Sequence, residues 1–171
     1  MKNKNQNTTE KKQINKENKM SSLQKEKFVR GVAKLVTVLF ALVIMLQLLL
    51  ASGLLPASIA WGGRQTEAAA GLQIANLVAV IVLSGFIYII RYRAGLVGSS
   101  PIPKAIRIGS WVVAGFMVLN TLGNLASVNA VEKFLFAPLT LVLAIACFII
   151  SASKVGQTNQ IEEGIRQVAL K

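Results

Sequence analysis

Residues 35–55 read LVTVLFALVIMLQLLLASGLL, twenty-one positions without a charge and with Thr37, Gln47 and Ser52 as the only polar side chains. As a helix rising 1.5 Å per residue, such a run reaches about 30 Å, the thickness of bilayer hydrocarbon. Three more uncharged apolar runs follow at 72–90, 108–126 and 134–152. The expected fold is all-α: an antiparallel four-transmembrane-helix bundle over 35–152.

Orientation follows from where the cations fall, because short cytoplasmic loops retain Lys and Arg during insertion. Of 19 Lys and Arg, ten precede the first run, four (Arg91, Arg93, Lys104 and Arg107) join the second to the third, and three (Lys154, Arg166 and Lys171) follow the fourth. Only Arg64 and Lys133 fall on the other side. Both termini are therefore expected in the cytoplasm, and the protein in the cell membrane. The formal net charge of +12 is explained by this sidedness and by the N-terminal segment. No aromatic or glycine motif accompanies the basic residues, so nucleic acid is not an expected partner.

The segments outside the spans differ in character. Between Lys2 and Lys19 the only aliphatic side chain is Ile14, so a disordered basic tail is expected over 1–20. Ser21-x-x-Gln24 then forms a capping-box pattern, and Phe28, Val32 and Leu35 share one face, predicting a basic juxtamembrane helix over 21–34. Lys25, Lys27, Arg30 and Lys34 on this helix, with Arg91, Arg93, Lys104 and Arg107 from the inner connection, are the expected contacts with anionic inner-leaflet lipid. The charged region before the first apolar run exceeds 30 residues, too long for a signal peptide, so that run is read as a retained helix. Within the tail at 153–171, Asn159-x-x-Glu162 and the face Ile161, Ile165, Val168 predict a short amphipathic helix on the inner surface, weakened by Gly164.

Turn and packing residues punctuate the spans. Gly53 to Pro56 ends the first, and Gly98 to Pro103 excludes helix between the second and third. Tyr88, Tyr92 and Trp111 suit the inner interface, and Trp61 the outer one. Gly71, Ala75 and Ala79 recur every four residues as a small-residue stripe, and Ser110 and Ala114, with Gly115 beside them, make a second. Pro138 is either a tolerated first-turn proline or a kink that frees the Phe134 carbonyl.

With the orientation above, the strong hydrogen-bonding side chains converge on the outer half of the bundle. Gln47, Gln73, Asn76, Asn120 and Asn124 lie within the spans, and Arg64, Glu67, Glu132 and Lys133 at the rim. Two roles fit them. They are either interhelical amides and rim ion pairs that hold the helices together, or an outward-opening pocket for a small polar ligand or lipid head group. The inner halves are nearly all hydrocarbon, and no Asp, Glu, Lys or Arg lies mid-span, so a proton relay or voltage sensor lacks its parts.

Catalytic patterns are missing. There is no His, and the single Cys147 lies deep in the fourth run, so neither a thiol–disulfide pair nor a zinc site is expected. No cofactor or metal is expected, and the chain is read as non-enzymatic. It is expected to act as an accessory or binding protein with a membrane-protein partner or a second copy of itself. The alternative is a small transporter or export subunit working as an oligomer.

Trp61-Gly62-Gly63-Arg64, Asn120-Thr121-Leu122-Gly123-Asn124 and Glu132-Lys133-x-x-Phe136-x-Pro138 resemble segments of small bacterial four-helix integral membrane proteins whose families are uncharacterised. The resemblance spans about 35–150 and implies the four-helix fold without an activity.

Overall fold

The computed structural model describes residues 3–56, 69–98, 101–153 and 155. Four helices make up the fold: α1 (Asn3–Ala51), α2 (Ala69–Arg93), α3 (Lys104–Ala126) and α4 (Ala137–Ala152), the last preceded by a π-helical turn (Glu132–Phe136). Among the described residues all four are long and apolar enough to cross a membrane, the last counted with its π-helical turn as Glu132–Ala152. The predicted outer loop with Trp61, Arg64 and Glu67, and the predicted C-terminal helix after Asn159, lie outside the described residues.

Cross-helix contacts fix the topology. Asn124 near the end of α3 bonds Thr140 in α4, so these two are antiparallel. Arg93 at the end of α2 bonds carbonyls at the end of α4, so those two run the same way. Gly95, just past α2, sits against Arg30 of α1, which places α1 antiparallel to α2. The bundle therefore runs up, down, up, down. We call the end with Arg30, Arg93 and Lys104 the basic end, and the end with Asn124 and Glu132 the amide end.

Each helix stops for an identifiable reason. Past α2, Gly95 adopts φ +68° and donates to the Tyr92 carbonyl at 3.0 Å, while Leu96 donates to the Arg91 carbonyl at 2.9 Å. That pair of bonds is a Schellman closure, and it requires a residue that tolerates the left-handed region. Gly98, at φ +81°, places its backbone so close to the Tyr92 ring that a Cβ there would overlap the ring. Pro103 precedes the first residue of α3, where its fixed φ of −58° suits the helix entry. Between α3 and α4, Asn129 Oδ1 accepts from the Val131 N–H at 2.9 Å and starts the last helix.

The π turn accommodates Pro138. Ala137 donates its N–H to the Glu132 carbonyl, five residues back, and Pro138 falls in the first turn of α4, where no N–H is needed. Of the two roles open for Pro138, the structure adopts the first-turn one.

Composition predicts disorder over 1–20, but α1 continues without a break to Asn3. Lys, Gln and Glu are good helix formers, and no Gly or Pro precedes Gly31 to interrupt them.

The core is a single cluster drawn from all four helices. On α1 the buried face is Val29, Ala33, Val36 and Phe40, a spacing of three and four. α2 adds Leu83 and Ile90, α3 adds Val113, Ala114 and Met117, and α4 adds Leu143, Cys147 and Ile150. Phe40, Phe86 and Phe116 make a three-ring ladder across α1, α2 and α3, with centroids 6.2 and 5.2 Å apart. Such pairs contribute about 0.5–1.5 kcal/mol each beyond burial.

The most extensive pairings are α3 with α4 and α1 with α2. Small buried residues on both partners, Ser110 and Ala114 on α3 and Ala144 and Ser151 on α4, let the first pair approach closely. The stripe on α2 behaves differently from its reading in sequence. Gly71 has nothing within 4 Å of its would-be Cβ among the described residues, and α2 meets α3 where Ile89 packs 3.4 Å from the would-be Cβ of Gly109.

Candidate functional site

At the amide end, the polar side chains divide by depth. Asn76 is 2% exposed and Glu132 7% exposed, so both are buried in the bundle. Thr140 turns its single hydroxyl hydrogen back onto its own helix, shared between the Phe136 carbonyl at 2.8 Å and the Ala137 carbonyl at 3.1 Å. Asn124 Nδ2 donates to Thr140 Oγ1 at 3.3 Å, a direct bond from α3 to α4. Thr121, also buried, turns its hydroxyl onto the Met117 carbonyl at 2.8 Å. Gln47 is half-buried, and its Oε1 has no hydrogen-bond partner among the described residues.

The sequence grouped nine residues here, and the structure does not keep them together. Gln73, Asn120 and Lys133 are exposed on the helix surfaces. Arg64 and Glu67 lie outside the described residues. Asn120 and Asn124 sit four apart on α3, yet only Asn124 reaches a neighbouring helix. Thr121 and Thr140 complete the interior polar layer and were weaker signals in sequence, because a threonine in a helix bonds its own backbone.

At the basic end, Arg93 is the organising side chain. The residue is only 7% exposed, and its guanidinium donates to the carbonyls of Ser151 at 2.9 Å, Val155 at 3.4 Å and Ser153. The last carbonyls of a helix have no partner within it and carry the negative end of its dipole. A five-donor planar cation meets both needs at once. Arg93 is thus directed to protein, not presented to lipid as its position in sequence suggests. Nothing local in the sequence separates it from Arg91, since its partners lie about sixty residues further on.

The other predicted lipid contacts remain at the surface of this end. Lys25, Lys27, Arg30, Lys34 and Lys104 are exposed, while Arg91 and Arg107 are half-buried. Arg30 pairs with Glu26 one turn earlier at 2.7 Å. Tyr88 and Tyr92 stack edge to face at 5.9 Å, and Trp111 meets Phe148 in the same way at 5.2 Å. These rings form a belt of the kind found at membrane boundaries.

Beside that belt, a groove of about 960 Å³ separates α1 from the final turn of α4. Asn18, Ser21 and Lys25 line its outer part, and Phe28, Val29, Phe148 and Ile149 its inner part. The groove, unlike the amide layer, joins a cation, hydroxyls and apolar walls in one concave surface. No protein-family model, curated protein or solved structure matches the chain.

Proposed function

We propose that this chain is a multi-pass protein of the cell membrane with both termini in the cytoplasm, serving as a non-enzymatic accessory or binding subunit. The observation that carries this reading is α1, a single helix that joins the apolar bundle to a lysine-rich extension. From Arg30, level with Gly95 and Val155, back to Asn3, the extension is about 40 Å long. Over residues 3–19 its only aliphatic side chain is Ile14, so that part offers no continuous apolar face to a core and is suited to bridging toward a partner. The orientation is supported by the cations, which gather at one end of the bundle and are sparse at the other.

The amide layer fits a packing role in this reading, since Asn124 and Thr140 bond each other across helices. Gln47 Oε1, buried without a donor among the described residues, favours a second reading: a transporter or export subunit whose polar layer is completed by further copies.

Labelling tests the topology. In a Cys147→Ser background, Val128→Cys lies in the turn between α3 and α4 and is 94% exposed. A membrane-impermeant maleimide should label it in intact cells, and should label Asn18→Cys only after permeabilisation. The reverse pattern overturns the orientation. Deleting residues 3–20 should leave insertion intact and abolish recovery of a crosslinked heteromeric complex. A homo-oligomer that moves a solute across vesicles would establish the second reading instead.

A further inference from the structure

The groove between α1 and α4 sorts its chemistry along its length. Proceeding along α1 toward the bundle, its lining changes from Asn18, Ser21 and Ser22 through Lys25 to Phe28 and Val29. α4 supplies Phe148 and Ile149 on the side nearer the bundle centre. The α1 segment from residue 18 to residue 29 covers about 17 Å. Polar donors at one end and apolar walls at the other is the polarity of a glycerophospholipid, head to tail. Phe28 and Phe148 are 61% and 57% exposed, a pair of ring faces suited to an acyl chain.

The charge balance selects the head group. Glu26, in the lining, is paired with Arg30 at 2.7 Å. The end of α4 also faces the groove through Ala152 and Ser153, and its negative dipole end would repel an anion. Arg93 offsets that end by donating to the Ser151 and Ser153 carbonyls. Among the described lining residues, Lys25 is then the cation that sets the sign of the groove.

We propose that this groove binds one anionic phospholipid, with its phosphodiester at Ser21 and Lys25 and an acyl chain against Phe28 and Phe148. The proposal rests on the membrane reading above, and it assigns that reading a specific lipid site on the cytoplasmic side.

Native mass spectrometry of the full chain, released from bilayers of equal phosphatidylglycerol and phosphatidylcholine, tests it. One phosphatidylglycerol per chain should be retained, in about fivefold preference, the factor expected from one lysine near a membrane surface. Lys25→Ala should remove the preference, Phe28→Ala should lower retention of both lipids, and Val128→Ser should change neither. Equal retention of the two lipids by the unaltered chain overturns the proposal. So does phosphatidylglycerol binding that appears only after deletion of residues 156–171, which would make the chain's own C-terminal segment the occupant. The Val128→Cys labelling separates the two levels: a chain that inserts as proposed but shows no lipid preference overturns the lipid site alone.

Discussion

Arg93 donates to the carbonyl of Ser151 at 2.9 Å, and through this bond the end of α2 closes the end of α4. The two helices have comparatively little side-by-side packing, and the guanidinium joins them at this end. Replacing it with leucine takes the donor from the buried Ser151 carbonyl, at about 1–3 kcal/mol, and from the part-buried Ser153 and Val155 carbonyls at less. Arg93→Leu should therefore lower stability by about 2–4 kcal/mol. Arg93→Lys, which keeps the charge and loses the planar fork, should lower it by less. Unfolding of the purified protein in detergent measures the difference, and hydrogen exchange should accelerate first in the last turn of α4. Equal stability of all three proteins would refute the tie.

Gly98 and Tyr92 make a second close contact, in which backbone meets ring face. Gly98→Ala should destabilise in two ways: by overlap with the ring, and by about 1–2 kcal/mol for a left-handed backbone carrying a Cβ. Gly98→Ala combined with Tyr92→Ala should recover the first loss and retain the second. Additivity of the two single changes would mean that the ring does not press on the turn.

The Asn124–Thr140 bond should be measurable as a coupling. In a double-mutant cycle of Asn124→Leu and Thr140→Val, an interaction of about 0.6 kcal/mol, and at most about 1.7, is expected for a polar pair between membrane helices. Asn120→Leu, on the exposed side of α3, should stay within about 0.5 kcal/mol of the unaltered chain. A large loss at Asn120 with no coupling at Asn124 would reverse the assignment of the two amides.

Phe86 is the middle ring of the ladder and touches both Phe40 and Phe116. Phe86→Ala should cost about 3–5 kcal/mol, the usual range for removing a packed aromatic. Phe134→Ala, at a side chain 78% exposed, should cost well under 1 kcal/mol. Thermal unfolding of both variants in the same detergent gives the comparison.

The four spans were legible because the hydrocarbon thickness sets a length, and no other common element needs nineteen uncharged apolar residues in a row. The helical ends depart from the runs by a few residues: α2 covers Ala69–Arg93 where the run is 72–90, and α1 stops at Ala51 where the run continues to 55. Rotation about each axis was less legible. Helices that are apolar on every side give no stripe that marks the inward face. On α3 that face is set by Ser110, Val113, Met117 and Thr121, and Asn120 falls at its edge, about 100° from the adjacent Thr121. The same ambiguity hid Arg93, because only the folded partner distinguishes it from Arg91. At the start of α1, helix-forming residues without a breaker continue the helix through a segment whose composition alone suggests disorder.

The π turn before α4 carries a consequence for chain length. An α-helix advances about 100° per residue, so five residues from Glu132 to Ala137 would leave the two about 140° apart. The wider turn absorbs that offset, and Glu132, Ala137 and Thr140 all face inward. The segment works as a phase shifter, with one extra residue converted into rotation. Losing a single residue here would swing Glu132 and the preceding turn about 100° around the axis and carry the carboxylate from the bundle interior toward its apolar outer surface. A one-residue gap that an ordinary loop would absorb would therefore be felt at this position as a misplaced charge.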